Sequence, residues 1–163
     1  MWFIAFALVP GFFLPIEQET SRALAHRRAL GQGGLPIIKR IIPLAAVILG
    51  GLLIALALAA RSATDNLFET NSAVTLALLF MLLTYAPMHI ARGLSSGQGK
   101  FSNYALIIGL DGTIRVGVCA ALWLGGVDST GIFAVAVGLS PIVGVIIVAL
   151  RSEEHTSELQ SRE

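Results

Sequence analysis

The feature that most constrains this chain is a set of apolar runs long enough to cross a bilayer. Ile41–Ala60, reading IIPLAAVILGGLLIALALAA, carries no charge, and Ser129–Leu150 holds no ionisable residue. Ala73–Ala91 carries only His89, near its end. Phe101–Gly125 is as long but has Asp111 and Arg115 inside it, and Met1–Ile16 is apolar but short. A helix needs about 20 apolar residues to cross a hydrocarbon core of about 30 Å. No polar face interrupts these runs, so they read as membrane helices rather than as faces of a globular core. Composition agrees: 55% of residues are hydrophobic and 13% charged, with a mean hydropathy of +0.80. A soluble domain carries about 25% charged residues, and disorder needs low hydrophobicity, so both classes are excluded. The expected fold class is all-α, a polytopic membrane helix bundle with five transmembrane helices at 1–16, 41–60, 73–91, 101–125 and 129–150.

The connecting segments test that reading through the bias of Lys and Arg toward the cytoplasmic side. Segment 17–40 has five basic residues, Arg22, Arg27, Arg28, Lys39 and Arg40. Segment 61–72 sets only Arg61 against Asp65 and Glu69, segment 92–100 has Arg92 and Lys100 with no acid, and the turn near Gly125–Asp128 has no base. Alternate connections are therefore basic, as an alternating topology requires. The basic ones are placed in the cytoplasm and residue 1 outside. Such a start suggests a reverse anchor or, the preferred expectation, an internal Met1 with an earlier span missing.

Two further segments are read before any chemistry is sought. Arg151–Ser161, RSEEHTSELQS, breaks abruptly from the apolar run before it and looks like a translated short-read sequencing adapter. Residues 151–163 are accordingly expected to be an artefactual tail, and its Glu and His residues receive no role. Segment 17–40 reads as a short amphipathic helix lying on the cytoplasmic leaflet, its arginines near lipid phosphates. Arg27, Arg28, Lys39 and Arg40 are read as topology-setting charge. Glu17 and Arg22 abut the mouth of the bundle and are functional candidates. GQGG at 31–34 follows no strand and reads as a flexible turn.

Enzyme chemistry has little to stand on. The single cysteine, Cys119, excludes an intramolecular disulfide, the three histidines lie in unrelated segments, and no Walker-type, GxSxG or HExxH pattern occurs. Neither catalysis nor a cofactor, metal or nucleic-acid partner is expected. The informative pair is Asp111 and Arg115. A charge at the bilayer centre costs about 2.5–3.5 kcal/mol on insertion scales, so such residues face a partner or a polar cavity. Their i,i+4 spacing puts both on one helical face. Either they form a self-neutralising structural pair, or they line a cavity in which Arg115 attracts a phosphate. Gly109, Gly112 and Gly117 flank them and would let another helix approach closely. Tyr85 and His89, beside Pro87, read as interfacial belt residues, with a polar cavity edge as the alternative.

Two strings together carry a resemblance: PGFFLPIEQETSRALAHRRALGQGG and ARGLSSGQGKFSNYALIIGLDGTIRV. Their P-x-E-Q-x-x-x-R segment (Pro15, Glu17, Gln18, Arg22) and R-G-x-x-x-G-x-G-x-F segment (Arg92, Gly93, Gly97, Gly99, Phe101) resemble bacterial polysaccharide-biosynthesis flippases. These belong to the multidrug/oligosaccharidyl-lipid/polysaccharide exporter superfamily. The resemblance implies that residues 1–150 form spans two to six of the first lobe of a two-lobed carrier in the bacterial plasma membrane. It implies a lipid-linked glycan substrate, membrane lipids as neighbours and a second lobe of the same chain. Candidate cavity residues are Glu17, Arg22, Arg92, Asp111 and Arg115. A cation-coupled multidrug exporter of the same superfamily and a non-transporting membrane scaffold subunit remain as alternatives.

Overall fold

The computed structural model describes residues 2–67 and 72–160, and side chains at 10–59 and 75–150. It contains five helices: α1 Trp2–Ala29, α2 Leu35–Leu67, α3 Ser72–Gly97, α4 Phe101–Leu124 and α5 Thr130–Gln160. Among the described residues there is no strand. Hydrophobic periodicity finds little to act on, because the helices are apolar on nearly every face. Instead, the chain is punctuated by its turns. Gly31 and Gly99 stand at φ 69° and 71°, a conformation that costs a glycine nothing. Each closes a helix by the same paired hydrogen bonds. The Gln32 and Gly31 amides reach the Arg27 and Arg28 carbonyls, and the Lys100 and Gly99 amides reach those of Ser95 and Ser96. Pro36 falls in the first turn of α2, where a missing N–H is tolerated.

Helix α3 is the hub. Among the described residues it alone packs against all four other helices, with α1 touching α2 and α4 touching α5 at its sides. Its core residues, including Leu78, Met81, Leu82, Tyr85 and Met88, are buried, as are Phe13 of α1, Ile107 of α4 and Val137 of α5. Thr84 ties α3 to α5 through its hydroxyl, 2.6 Å from the Gly138 carbonyl.

Among the described residues, four helices are long and apolar enough to cross a membrane: Leu35–Ala59, Thr75–Gly97, Phe101–Leu124 and Thr130–Leu150. Their burial differs sharply. The third-helix window is 56% buried, whereas the windows of α2 and α4 are 11% and 6% buried. Val47, Leu58, Val116 and Trp123 stand on open surface. Soluble monomers rarely expose contiguous apolar surface on this scale, but hydrocarbon surroundings remove the penalty. The bundle is therefore compatible with a multi-pass membrane protein.

The first helix departs from expectation. It does not stop at residue 16; it runs unbroken to Ala29, past Pro10 and Pro15. The segment expected to lie on the leaflet is instead the second half of α1, and Ile16, Glu17, Thr20 and Leu24 are buried. The reason is close packing on α3. A Cβ at Gly93 would lie 2.8 Å from the Glu17 carbonyl oxygen, and one at Gly97 would lie 2.7 Å from Leu24 Cβ. Two glycines four residues apart thus let the helices meet backbone to backbone. Three other helices also overrun their expected bounds, α2 beginning at Leu35, α3 continuing to Gly97 and α5 helical to Gln160, whereas α4 keeps to them. Side chains of the expected tail 151–163, and of residues 1–9, lie outside the described residues.

Candidate functional site

Helix α3 presents polar side chains at Tyr85, His89, Arg92 and Ser96, spacings of four, three and four that place them along one stripe. Two polar networks hang from this stripe. The first lies toward the α3–α4 turn. Glu17 is buried and both its carboxylate oxygens are engaged, Oε2 with His89 Nδ1 at 2.7 Å and Oε1 with the Arg92 guanidinium at 3.1 Å. His89 stacks on Phe13, with ring centroids 6.3 Å apart. Arg92 also donates to the Tyr104 hydroxyl at 3.2 Å and lies over its ring. One turn further along, Ser21 and Ser96 share a hydrogen bond of 2.7 Å, and Arg28 donates to the Gln98 carbonyl at 2.8 Å. The α1–α3 seam is thus held by an ion pair, a hydroxyl pair and a guanidinium–carbonyl bond, all across a glycine contact.

Beside this seam opens a polar pocket of about 360 Å³, walled by Gln18, Ser21, Arg22, Arg92, Ser96 and Tyr104, with Leu14 and Glu17 completing it. Arg22 stands at its exposed rim, bound to Glu19 through two hydrogen bonds of 2.7 and 2.9 Å. That pairing holds the Glu19 carboxyl below its ordinary range and raises the Arg22 guanidinium, chiefly through the hydrogen bonds themselves.

The second network sits deeper. Asp111 lies ten residues into α4, about 15 Å along its axis. It pairs with Arg115 one turn on, and Arg115 also donates to the Tyr85 hydroxyl of α3. The Ser140 hydroxyl of α5 lies 2.6 Å from Asp111 Oδ1 and 3.0 Å from the Val137 carbonyl. A charged acceptor is the stronger of the two, so the proton is assigned to Asp111. Three helices therefore meet at one ion pair. Next to it, an apolar groove of about 600 Å³ runs between α4 and α5, lined by Ile114, Val118, Leu122, Ile132 and Leu139 with Ser140 at its wall.

The five sequence candidates therefore divide. Glu17, Arg22 and Arg92 share the pocket near the α3–α4 turn, while Asp111 and Arg115 form the deeper network. Tyr85 and His89 are not belt residues: both are buried, one in each network, because each has a charged partner on a neighbouring helix. The acidic partner of His89 is Glu17, 72 residues away in the sequence. Tyr104, Ser96 and Ser140 escaped sequence reasoning because they are uncharged, Ser96 and Tyr104 lying among other small polar residues of the α3–α4 connection and Ser140 alone in an apolar run. The polar stripe of α3 was the available signal. A Cβ placed at Gly109, Gly112 or Gly117 would meet nothing within 4 Å, so among the described residues no other helix approaches them closely. Among the described residues no group of three or more His, Cys, Asp or Glu side chains could hold a metal ion. No family model, curated protein or solved structure matches the chain.

Proposed function

We propose that the chain is part of the first lobe of a flippase that moves lipid-linked oligosaccharide or polysaccharide precursors across the bacterial plasma membrane. The observation that carries this reading is the Asp111–Arg115 network. An ion pair braced by Tyr85 and Ser140 lies midway along a span-length helix that carries no other charged residue. Ionisable groups at such depth are costly and cluster on transport pathways. The side chains of Arg115 and Asp111 remain 23% and 14% exposed, so the pair is not sealed in the bundle. The motifs around Glu17 and Arg92 support the same assignment through their resemblance to flippases. On this reading a second lobe completes the carrier, because alternating access needs two bodies to move against each other. Arg115 would screen the pyrophosphate of the substrate, with Asp111 holding the guanidinium in place between cycles.

A second reading, a non-transporting scaffold subunit, is favoured by the internal pairing of Asp111 with Arg115. One experiment separates the two. In a full-length gene, Arg115→Ala is expected to abolish glycan export while protein accumulates normally in the membrane. Unchanged export at normal abundance would contradict the transport role. Loss of the protein itself would favour the scaffold.

A further inference from the structure

We propose that the polar pocket between α1, α3 and α4 binds a phosphate group, drawn from the lipid headgroups at the membrane face. This assignment stands on the pocket alone and holds whether or not the chain is part of a transporter. The formal charges around it cancel in pairs, Arg22 against Glu19 and Arg92 against Glu17. What remains is a surplus of hydrogen-bond donors. Arg92 Nε also lacks a hydrogen-bond partner among the described residues, but it has almost no accessible surface and so adds nothing to the donors at the pocket wall. Tyr104 accepts from Arg92, leaving its own proton to give. Ser21 and Ser96 share one hydrogen bond, so one of their two hydroxyl protons is also left over. The only carboxylate on the wall, Glu17, already has both oxygens occupied.

A pocket of this size falls within the range of small-ligand sites. Donors converging from three helices, two of them guanidinium groups, call for a ligand with several acceptor oxygens and negative charge. Arginine forks match phosphate in both respects. Position favours a lipid source. Arg92 lies five residues before the end of α3, and the same end of the bundle carries Arg27, Arg28 and Lys100. Basic residues at that level face headgroup phosphates.

The test uses the purified 163-residue chain in an uncharged, phosphate-free maltoside detergent, titrated calorimetrically. The probes are short-chain phosphatidic acid, inorganic phosphate and the matching diacylglycerol. Phosphatidic acid is expected to bind and diacylglycerol not to bind. Arg92→Gln and Tyr104→Phe should each weaken binding about tenfold or more, as loss of a hydrogen bond to a charged group does. Tyr104→Phe keeps the ring beneath the guanidinium, so it decides the matter should Arg92→Gln lose its helical circular dichroism. Competition by inorganic phosphate would support a site that reads phosphate alone; binding of phosphatidic acid without such competition would support a lipid site. Absence of binding by both phosphate probes, or equal affinity in the wild type and Tyr104→Phe, would overturn the proposal.

Discussion

The two polar networks of this bundle hang from the same helix within one turn of each other, yet they are built in opposite ways. At the α1–α3 seam the charges come from different helices, Glu17 on one and Arg92 on the other with His89 hydrogen-bonded to Glu17, and the glycines beneath them are filled by the facing backbone. At the deeper site the charges sit on one helix, Asp111 and Arg115, and are braced by hydroxyls of α3 and α5, while the nearby glycines of α4 face nothing. The first arrangement is a completed joint. The second is a joint within the bundle beside an open surface. The difference teaches that an intramembrane charge gains meaning from its surroundings: the same residue types can lock two helices or stand ready beside an unoccupied face.

The largest expected effect breaks the first joint. Glu17→Ala leaves His89 and Arg92 facing each other in a buried site, and removing one partner of a buried ion pair costs about 3–5 kcal/mol. Thermal unfolding followed by near-ultraviolet circular dichroism should show a large drop in melting temperature; a small one would mean that the seam does not depend on the pair. A paired glycine substitution sharpens the contrast. Gly97→Leu pushes a side chain into Leu24 and the Ser21 backbone and is expected to destabilise by about 1–3 kcal/mol, the usual cost of overpacking. Gly112→Leu meets open space and should be neutral in the same melting assay. The smallest effect is at the rim. Glu19 is held below its ordinary carboxyl range by Arg22, so its contribution is present above that range and fades only as pH falls through the lowered value. The pair is exposed and screened. Glu19→Gln should therefore match the wild type in melting temperature at each pH from about pH 8 to pH 5.

Much of the architecture was legible in the sequence because membrane helices announce themselves locally. Apolar length needs no partner to be recognised, so α2 to α5 are legible, α4 to within one residue and the others with an end displaced by six to ten residues. The Asp111–Arg115 pair was legible for the same reason, since both members lie on one helix at i,i+4. The seam was not. Glu17 and His89 are 72 residues apart, and nothing in either local pattern names the other. The course of α1 was missed because its basic, alanine-rich second half resembles a surface helix, while the contact that buries it depends on Gly93 and Gly97 of α3. Arg22 lines the polar pocket, and its ion-pair partner is its neighbour Glu19, three residues before it on α1. Tyr104 and Ser140 became visible only when the helices were assembled, since an uncharged hydroxyl carries no directional signal of its own.

Sidedness tests the account most directly. With Cys119 replaced by serine, single cysteines at Gln98, in the α3–α4 turn, and at Asp128, in the α4–α5 turn, are exposed to a membrane-impermeant maleimide in intact spheroplasts and after lysis. The account predicts that Asp128→Cys is labelled in intact spheroplasts and that Gln98→Cys is labelled only after lysis. Labelling of both positions in intact spheroplasts, or of neither, would contradict a bundle whose fourth helix crosses the membrane.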